Sequence, residues 1–198
     1  MKIFFKNFFF AALATTALVS CDDDTELPTY REPVMYEKFE IGDDNTPFQA
    51  EGWSTFLQAG TAAWTIQRYS NNGYAEFNPY GSNNPVNIGW LISPAIELGE
   101  TNNKTLTFEA SQAFTSNANN KLEVFISSDY NGDVATATWT PVTFKAPKIA
   151  GVNFAFVASG KISLVPYKGN VRVAFKVTGS GTDQALDGSY QIDNVVVY

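Results

Sequence analysis

The chain has 198 residues, with 13 Lys and Arg against 20 Asp and Glu, no His, one Cys, and 44% hydrophobic and 15% aromatic residues. Without His there is no Ser-His-Asp or Cys-His nucleophile system, no His-bound zinc and no His general base, and a single Cys forms no intramolecular disulfide. A formal net charge of −7 with no basic run lacks the clustered Lys and Arg that phosphate contacts demand, so no nucleic-acid partner is expected.

Residues 1–20 (MKIFFKNFFFAALATTALVS) join a positive start, Lys2 and Lys6, to an apolar stretch from Phe8 to Val19. This is the pattern of a signal peptide, and it falls short of the about 20 apolar residues of a membrane-spanning helix. The run Leu18-Val19-Ser20-Cys21 resembles the lipobox of bacterial lipoproteins, whose Cys is lipidated and becomes the new N-terminus. The resemblance implies Cys21 as the lipidation site and an outer-membrane anchor. Each buried methylene contributes ~0.8 kcal/mol, so two or three acyl chains hold such a residue in the bilayer. Asp22-Asp23-Asp24 resembles the acidic export signal of surface-exposed lipoproteins, which implies the cell surface; the alternative is a solvated linker on the periplasmic face. Removal of the leader takes Lys2 and Lys6 with it and leaves the chain more acidic still.

Residues 21–33 contain Pro28, Pro33 and several charges and read as a semi-extended tether, with a reach of roughly 45 Å at about 3.3 to 3.6 Å per residue. One domain, 34–198, follows. Short apolar alternations broken by Gly, Asn, Pro and Ser predict strands at 35–40, 62–68, 74–78, 88–92, 104–110, 122–126, 139–145, 154–164, 171–177 and 189–197. No segment has a helical stripe longer than two turns. About ten strands with frequent turn signals predict an all-β fold, a jelly-roll β-sandwich of two antiparallel sheets.

Three groups of residues bear on chemistry. Met35–Glu40 opens the domain and Ser189–Tyr198 closes it, and first and last strands of a jelly roll commonly lie side by side. Glu40 and Asp193 would then converge, and two like charges there call for a cation. Calcium suits carboxylate and carbonyl oxygens with loose geometry; the alternative is that both acids face solvent on edge strands. The stretch from Trp64 to Tyr80 (WTIQRYSNNGYAEFNPY) mixes planar rings with hydrogen-bonding side chains, the composition of a sugar-binding surface. Trp64, Arg68, Tyr69, Asn72, Tyr74 and Tyr80 are its candidate ligand-binding residues, with burial in the core as the competing fate of any Trp. Asp129-Tyr130-Asn131-Gly132-Asp133 has the oxygen spacing of a calcium loop, but its twelfth position is Thr140 where a bidentate Glu is needed, so a tight turn is expected. The remaining acids, Glu76, Glu97, Glu109 and Glu123, stand singly, and no paired-carboxylate run of a glucanase or phosphate-binding Gly loop is present. No catalytic residue is assigned.

The segment order YEKFE, EGW, GWLISPAIEL, LTFEA, LEVFISSDYNGDVATATWTPV, SGKISLVPYKGNVRVAFKVTGSGT and YQIDNVVVY resembles the choice-of-anchor J domains of bacterial surface lipoproteins, relatives of the cleaved adhesin and MAM-like jelly-roll modules. The resemblance spans nearly all of residues 34–198. It implies a jelly-roll sandwich at the cell surface, often with a structural calcium held by an early Glu and a late Asp, here Glu40 and Asp193. The expected function is therefore a non-catalytic, lipid-anchored surface protein that binds a carbohydrate or glycoconjugate. The alternatives are an adhesive or structural protein whose partner is another surface protein and, less favoured, a carboxylate glycosidase.

Overall fold

Period-two alternation builds this protein. Along Thr105–Ala113 the side chains of Leu106, Phe108 and Ala110 are buried on one face while Thr107, Glu109 and Ser111 take the other, which is the pleat of a strand with one face on a core. The computed structural model describes residues 31–99 and 104–198; the leader, Cys21, the acidic run and the tether through Tyr30 lie outside the described residues. Regular structure among the described residues is entirely β and comprises fourteen strands. The first seven are β1 (Met35–Glu37), β2 (Thr46–Pro47), β3 (Ser54–Ala59), β4 (Trp64–Tyr69), β5 (Asn72–Phe77), β6 (Asn87–Ile92) and β7 (Ile96–Leu98). The rest are β8 (Thr105–Ala113), β9 (Lys121–Ser127), β10 (Thr140–Pro141), β11 (Val157–Ala158), β12 (Ile162–Ser163), β13 (Gly169–Gly179) and β14 (Ser189–Val197).

The strands form two antiparallel sheets packed face to face. One runs β11-β8-β14-β5-β4-β2, with β1 added to β14 and β12 to β8; the other runs β10-β9-β13-β6-β3, with β7 added to β13. The expected all-β sandwich is thus observed, and the first strand does lie beside the last, Met35 opposite Val197 and Glu37 opposite Val195. Between the sheets Trp64, Phe77, Phe108 and Ile192 meet Leu91, Val124, Val173 and Phe175 in one continuous core. Phe108 and Phe175 contact edge to face with ring centroids 5.0 Å apart, a geometry the ring quadrupoles favour. Gly89 is required by this packing, because a Cβ there would stand 2.0 Å from the Phe77 ring.

Several strand predictions need correction. The expected strand at 35–40 ends at Glu37, because Phe39 adopts φ 53° and turns its ring into the core. The expected strand at 154–164 is two short pieces, β11 and β12, parted by Gly160 at φ 77°. Of 139–145 only Thr140–Pro141 pairs in regular register. β3 was not predicted: it is an edge strand whose residues Ser54 to Gln58 are all exposed, so it carries no alternating apolar signal.

Candidate functional site

The outer face of the eight-stranded sheet holds the candidate site. Ala75 and Phe77 of β5 face the core, so Tyr74 and Glu76 between them face outward, and the same parity sends Ser189, Gln191 and Asp193 of β14 outward. A two-residue turn with Ser70 at φ 51° and Asn71 at φ 68° joins β4 to β5 and sets Tyr69 opposite Asn72; positive φ at both positions is the turn form that suits the twist of a hairpin. Tyr69, Ser70, Asn72 and Tyr74 form one wall of a cleft of about 710 Å³, and Asn153, Phe154 and Phe156 form the other. Tyr74 and Phe156 meet edge to face at 5.6 Å. A second cleft of about 380 Å³ adjoins, lined by Asn78, Tyr80, Phe114, Asp187 and Ser189. The two share a wall where the Phe114 and Phe154 rings touch at 6.2 Å. Tyr74 of the larger cleft and Asn78 of the smaller one lie roughly 13 Å apart along the chain at ~3.3 Å per residue, and the two adjoining clefts are together called the groove.

A polar network lies behind the smaller cleft, reached through its lining residue Ser189. Gln191 Nε2 donates to Glu76 Oε2 at 2.7 Å, Ser189 Oγ donates to the same oxygen at 3.4 Å, and Ser111 Oγ donates to Gln191 Oε1 at 2.6 Å. All four side chains are buried. Both bonds to Glu76 end on Oε2. Burial, above all, raises the Glu76 pKa against the lowering effect of Gln191 and Ser189, and Asp44 adds repulsion. The Tyr74 hydroxyl is pushed upward by burial and by the charges of Glu76 and Asp44.

Phe114 is 68% exposed and Phe154 48% exposed, and both have left-handed backbones, φ 62° and 60°. A left-handed conformation costs a bulky residue on the order of 1–3 kcal/mol and persists only where surrounding bonds impose it. Those bonds are present: Asn153 Oδ1 accepts from the Phe114 amide at 2.8 Å and the Gln112 carbonyl from the Phe154 amide at 2.8 Å. The chain therefore holds two large apolar rings out in solvent at a conformational cost, beside a cleft.

At the other end of the groove stands an acidic group. Between Asp193 and Val196 the β14–β8 register slips by one residue, and Asn194 at φ 48° absorbs the bulge. Ile192 and Val195 can then both face the core while Asp193 is aimed outward beside its partner Glu109; re-aiming a side chain is a common use of a bulge. Asp193 is nonetheless buried. It accepts from Asn72 Nδ2 at 3.0 Å and from the Asn194 amide at 2.6 Å. Burial, first, and then the charges of Glu109 and Glu40 raise its pKa, against those two hydrogen bonds. Glu109 accepts from Asn194 Nδ2 at 2.8 Å.

The predicted residues therefore divide. Tyr69, Asn72 and Tyr74 line one cleft; Tyr80, 73% exposed, lines the adjoining one. Trp64 is corrected to a core residue, 1% exposed and packed on Phe77 at 5.6 Å, because its strand parity matches Ile66. Arg68 lines neither cleft: its guanidinium bonds Glu40 at 3.1 Å and the Gly42 carbonyl at 3.3 Å, pinning the loop after β1. Glu40 and Asp193 lie close enough to repel but share no bond, and among the described residues no three Asp, Glu, Cys or His side chains gather as a metal cluster. Asp129 serves a turn, accepting from Ser127 Oγ and the Thr138 amide, each at 2.8 Å. Phe114, Asn153, Phe154 and Phe156 escaped the sequence reading; their one local signal is the Asn-Phe-Ala-Phe spacing, which repeats an aromatic at period two.

No protein-family model and no curated protein matches the chain. Solved structures do. The K1 cleaved adhesin domain of Lys-gingipain from Porphyromonas gingivalis W83 is similar with a TM-score of 0.54 and 22% identity, over 83% of this chain and 96% of that one. The K2 domain of the same protein gives 0.55 and 13% over 83% and 97%, and the K3 domain 0.51 and 20% over 84% and 99%. At these identities the likeness is one of fold: the chain is similar in architecture to the cleaved adhesin domains.

Proposed function

We propose that this is a non-catalytic surface module that binds carbohydrate in the groove on the outer face of its eight-stranded sheet. The observation that carries this reading is the pair of exposed, conformationally costly rings, Phe114 and Phe154, standing with Tyr69, Tyr74 and Tyr80 and the lining side chains of Asn72, Asn78, Asn153 and Asp187 around two adjoining clefts. Planar rings match the apolar faces of sugars, and amide and carboxylate oxygens placed between them meet hydroxyls. A concave site of this kind suits a chain of sugars better than the flat apolar patch of a protein interface. The motif resemblance to choice-of-anchor J lipoproteins supports placing the module at a cell surface through lipid on Cys21.

Calcium is part of the proposal as a structural ion. What supports it is electrostatic: Asp193 is a buried carboxylate with no ion pair among the described residues, and Glu109 and Glu40 add negative charge beside it. Asp193 and Glu40 would supply side-chain oxygens, with amide and backbone oxygens completing a shell that calcium accepts. The ion would neutralise the repulsion between these acids and tie β14 to the loop after β1.

Binding of the chain to a panel of immobilised glycans tests the reading. Tyr74→Ala and Phe154→Ala should each weaken retention at least about tenfold, which is ~1.4 kcal/mol, while Phe56→Ala on the other sheet should not. Silence of the wild-type chain across the panel, with capture of a defined surface protein instead, would transfer the groove to the protein-partner reading.

A further inference from the structure

The dipeptide Asn-Gly occurs twice in the chain, at Asn72-Gly73 and at Asn131-Gly132, and the fold holds the two differently. In such a pair the backbone nitrogen of Gly can attack the side-chain carbonyl carbon of Asn, because Gly has no Cβ to crowd the approach and its backbone turns freely. The ring closes only when the side chain swings back over that nitrogen. An extended backbone locked in a ladder resists the swing, whereas a loop that opens locally permits it.

Asn72 and Gly73 belong to β5, where they stand opposite Tyr69 and Arg68 of β4. The Asn72 side chain is held as well, since its Nδ2 donates to Asp193 Oδ2 at 3.0 Å, and Gly73 backs closely onto the Phe39 carbonyl. Asn131 and Gly132 lie in the loop from β9 to β10, both exposed and outside any strand. Gly132 has φ 109°, and nothing stands within 4 Å of where a Cβ would be. The Asp133 amide donates to Asn131 Oδ1 at 3.3 Å. That bond bends the side chain back toward its own backbone, as in an Asx turn, and by drawing electron density from the carbonyl it makes Cγ more open to attack.

We infer that Asn131 is a modification site, which loses its side-chain nitrogen spontaneously through attack by Gly132, while the fold protects Asn72 in the wall of the groove. The Gly132 nitrogen bonds to Asn131 Cγ and loses its proton, the Cγ–Nδ2 bond breaks, and ammonia leaves behind a cyclic imide. Water then adds to one of the two imide carbonyls and that carbonyl's bond to nitrogen breaks. The product is an aspartate, or an isoaspartate whose main chain runs through Cβ and Cγ. Water is the co-reactant, and no oxidation or reduction occurs. Either product sets a new carboxylate between Asp129 and Asp133, and isoaspartate lengthens the main chain of the loop that packs Tyr130 on Trp139 at 5.5 Å. This chemistry does not depend on what the groove binds.

Peptide mapping by mass spectrometry tests it, on the full chain kept in mildly alkaline buffer and sampled over weeks, with isoaspartate identified by electron-transfer fragmentation. In folded protein Asn131 should convert at least about tenfold faster than Asn72, equivalent to ~1.4 kcal/mol of local protection. In urea, which removes the fold, the two sites should convert at similar rates. Gly132→Ala should slow conversion of Asn131 several-fold in buffer and in urea alike, so that any effect of the variant on folding is separated from its effect on the attack. Equal rates at Asn72 and Asn131 in the folded chain, an intact Asn131 in buffer while both sites convert in urea, or an unaltered rate in Gly132→Ala would overturn the inference.

Discussion

Trp64 and Tyr74 are ten residues apart in a stretch whose composition treats them alike, and their fates are opposite. Trp64 shares the inward parity of Ile66, whereas Tyr74 faces away from the core that holds Ala75. Trp64→Ala should therefore cost about 3–5 kcal/mol of stability, the range for deleting a large buried ring, read as a shifted urea midpoint. Tyr74→Ala should leave folding largely intact and appear in binding. The parity that buries Trp64 is present in the alternation Trp-Thr-Ile-Gln, yet composition alone assigns this residue to the binding surface. Phe114 and Phe154 were not legible, because a left-handed backbone at a Phe is imposed by distant partners, Asn153 and Gln112, that local sequence does not reveal.

The buried acids give a signed prediction. Glu76 and Asp193 have raised pKa values, chiefly through burial, so the folded chain holds their protons more tightly than the unfolded chain does. As pH falls from neutral through their folded values, stability should rise. The exposed Asp129 has the reverse sign: hydrogen bonds from Ser127 and Thr138 lower its pKa, and its contribution is lost as pH falls through that lowered value. Relative to the double variant Glu76→Gln, Asp193→Asn, chelated wild-type protein should therefore gain stability as pH falls through the folded values of these acids. Parallel stability profiles of the two proteins across the acid range would contradict this account of the two acids.

At the scale of elements, the bulge in β14 and the loop after β1 converge on Asp193. Gly73 belongs to the same arrangement, since a Cβ there would lie 2.3 Å from the Phe39 carbonyl. With calcium bound, this junction should tighten: a ligand that binds only the folded state stabilises by about 2.7 kcal/mol at a hundredfold excess over its Kd. Chelation should lower the melting temperature of the wild-type chain and leave that of Asp193→Asn unmoved. Strands with one buried face, such as β8, β13 and β14, were read from alternation with bounds near those observed. The edge strand β3 and the two-residue strands were missed or merged because their pairing is decided by neighbours across the sheet, and their side chains carry no periodic signal.

For the whole molecule, a sandwich similar in fold to cleaved adhesin domains presents a groove of aromatic rings and hydrogen-bonding side chains on the outer face of its eight-stranded sheet. The proposed lipid anchor predicts that Cys21→Ala moves the protein from the membrane fraction to the soluble fraction; retention in the membrane would count against it. The central claim is that carbohydrate lies along β5 on the outer face of the eight-stranded sheet. The most direct test is a residue-resolved amide NMR titration with a hexasaccharide that the glycan panel shows to bind. Shifts should concentrate at Tyr69–Asn78, Asn153–Phe156 and Phe114. Shifts confined to Ser54–Gln58 and Trp90 on the opposite sheet, with that stretch unmoved, would contradict the account.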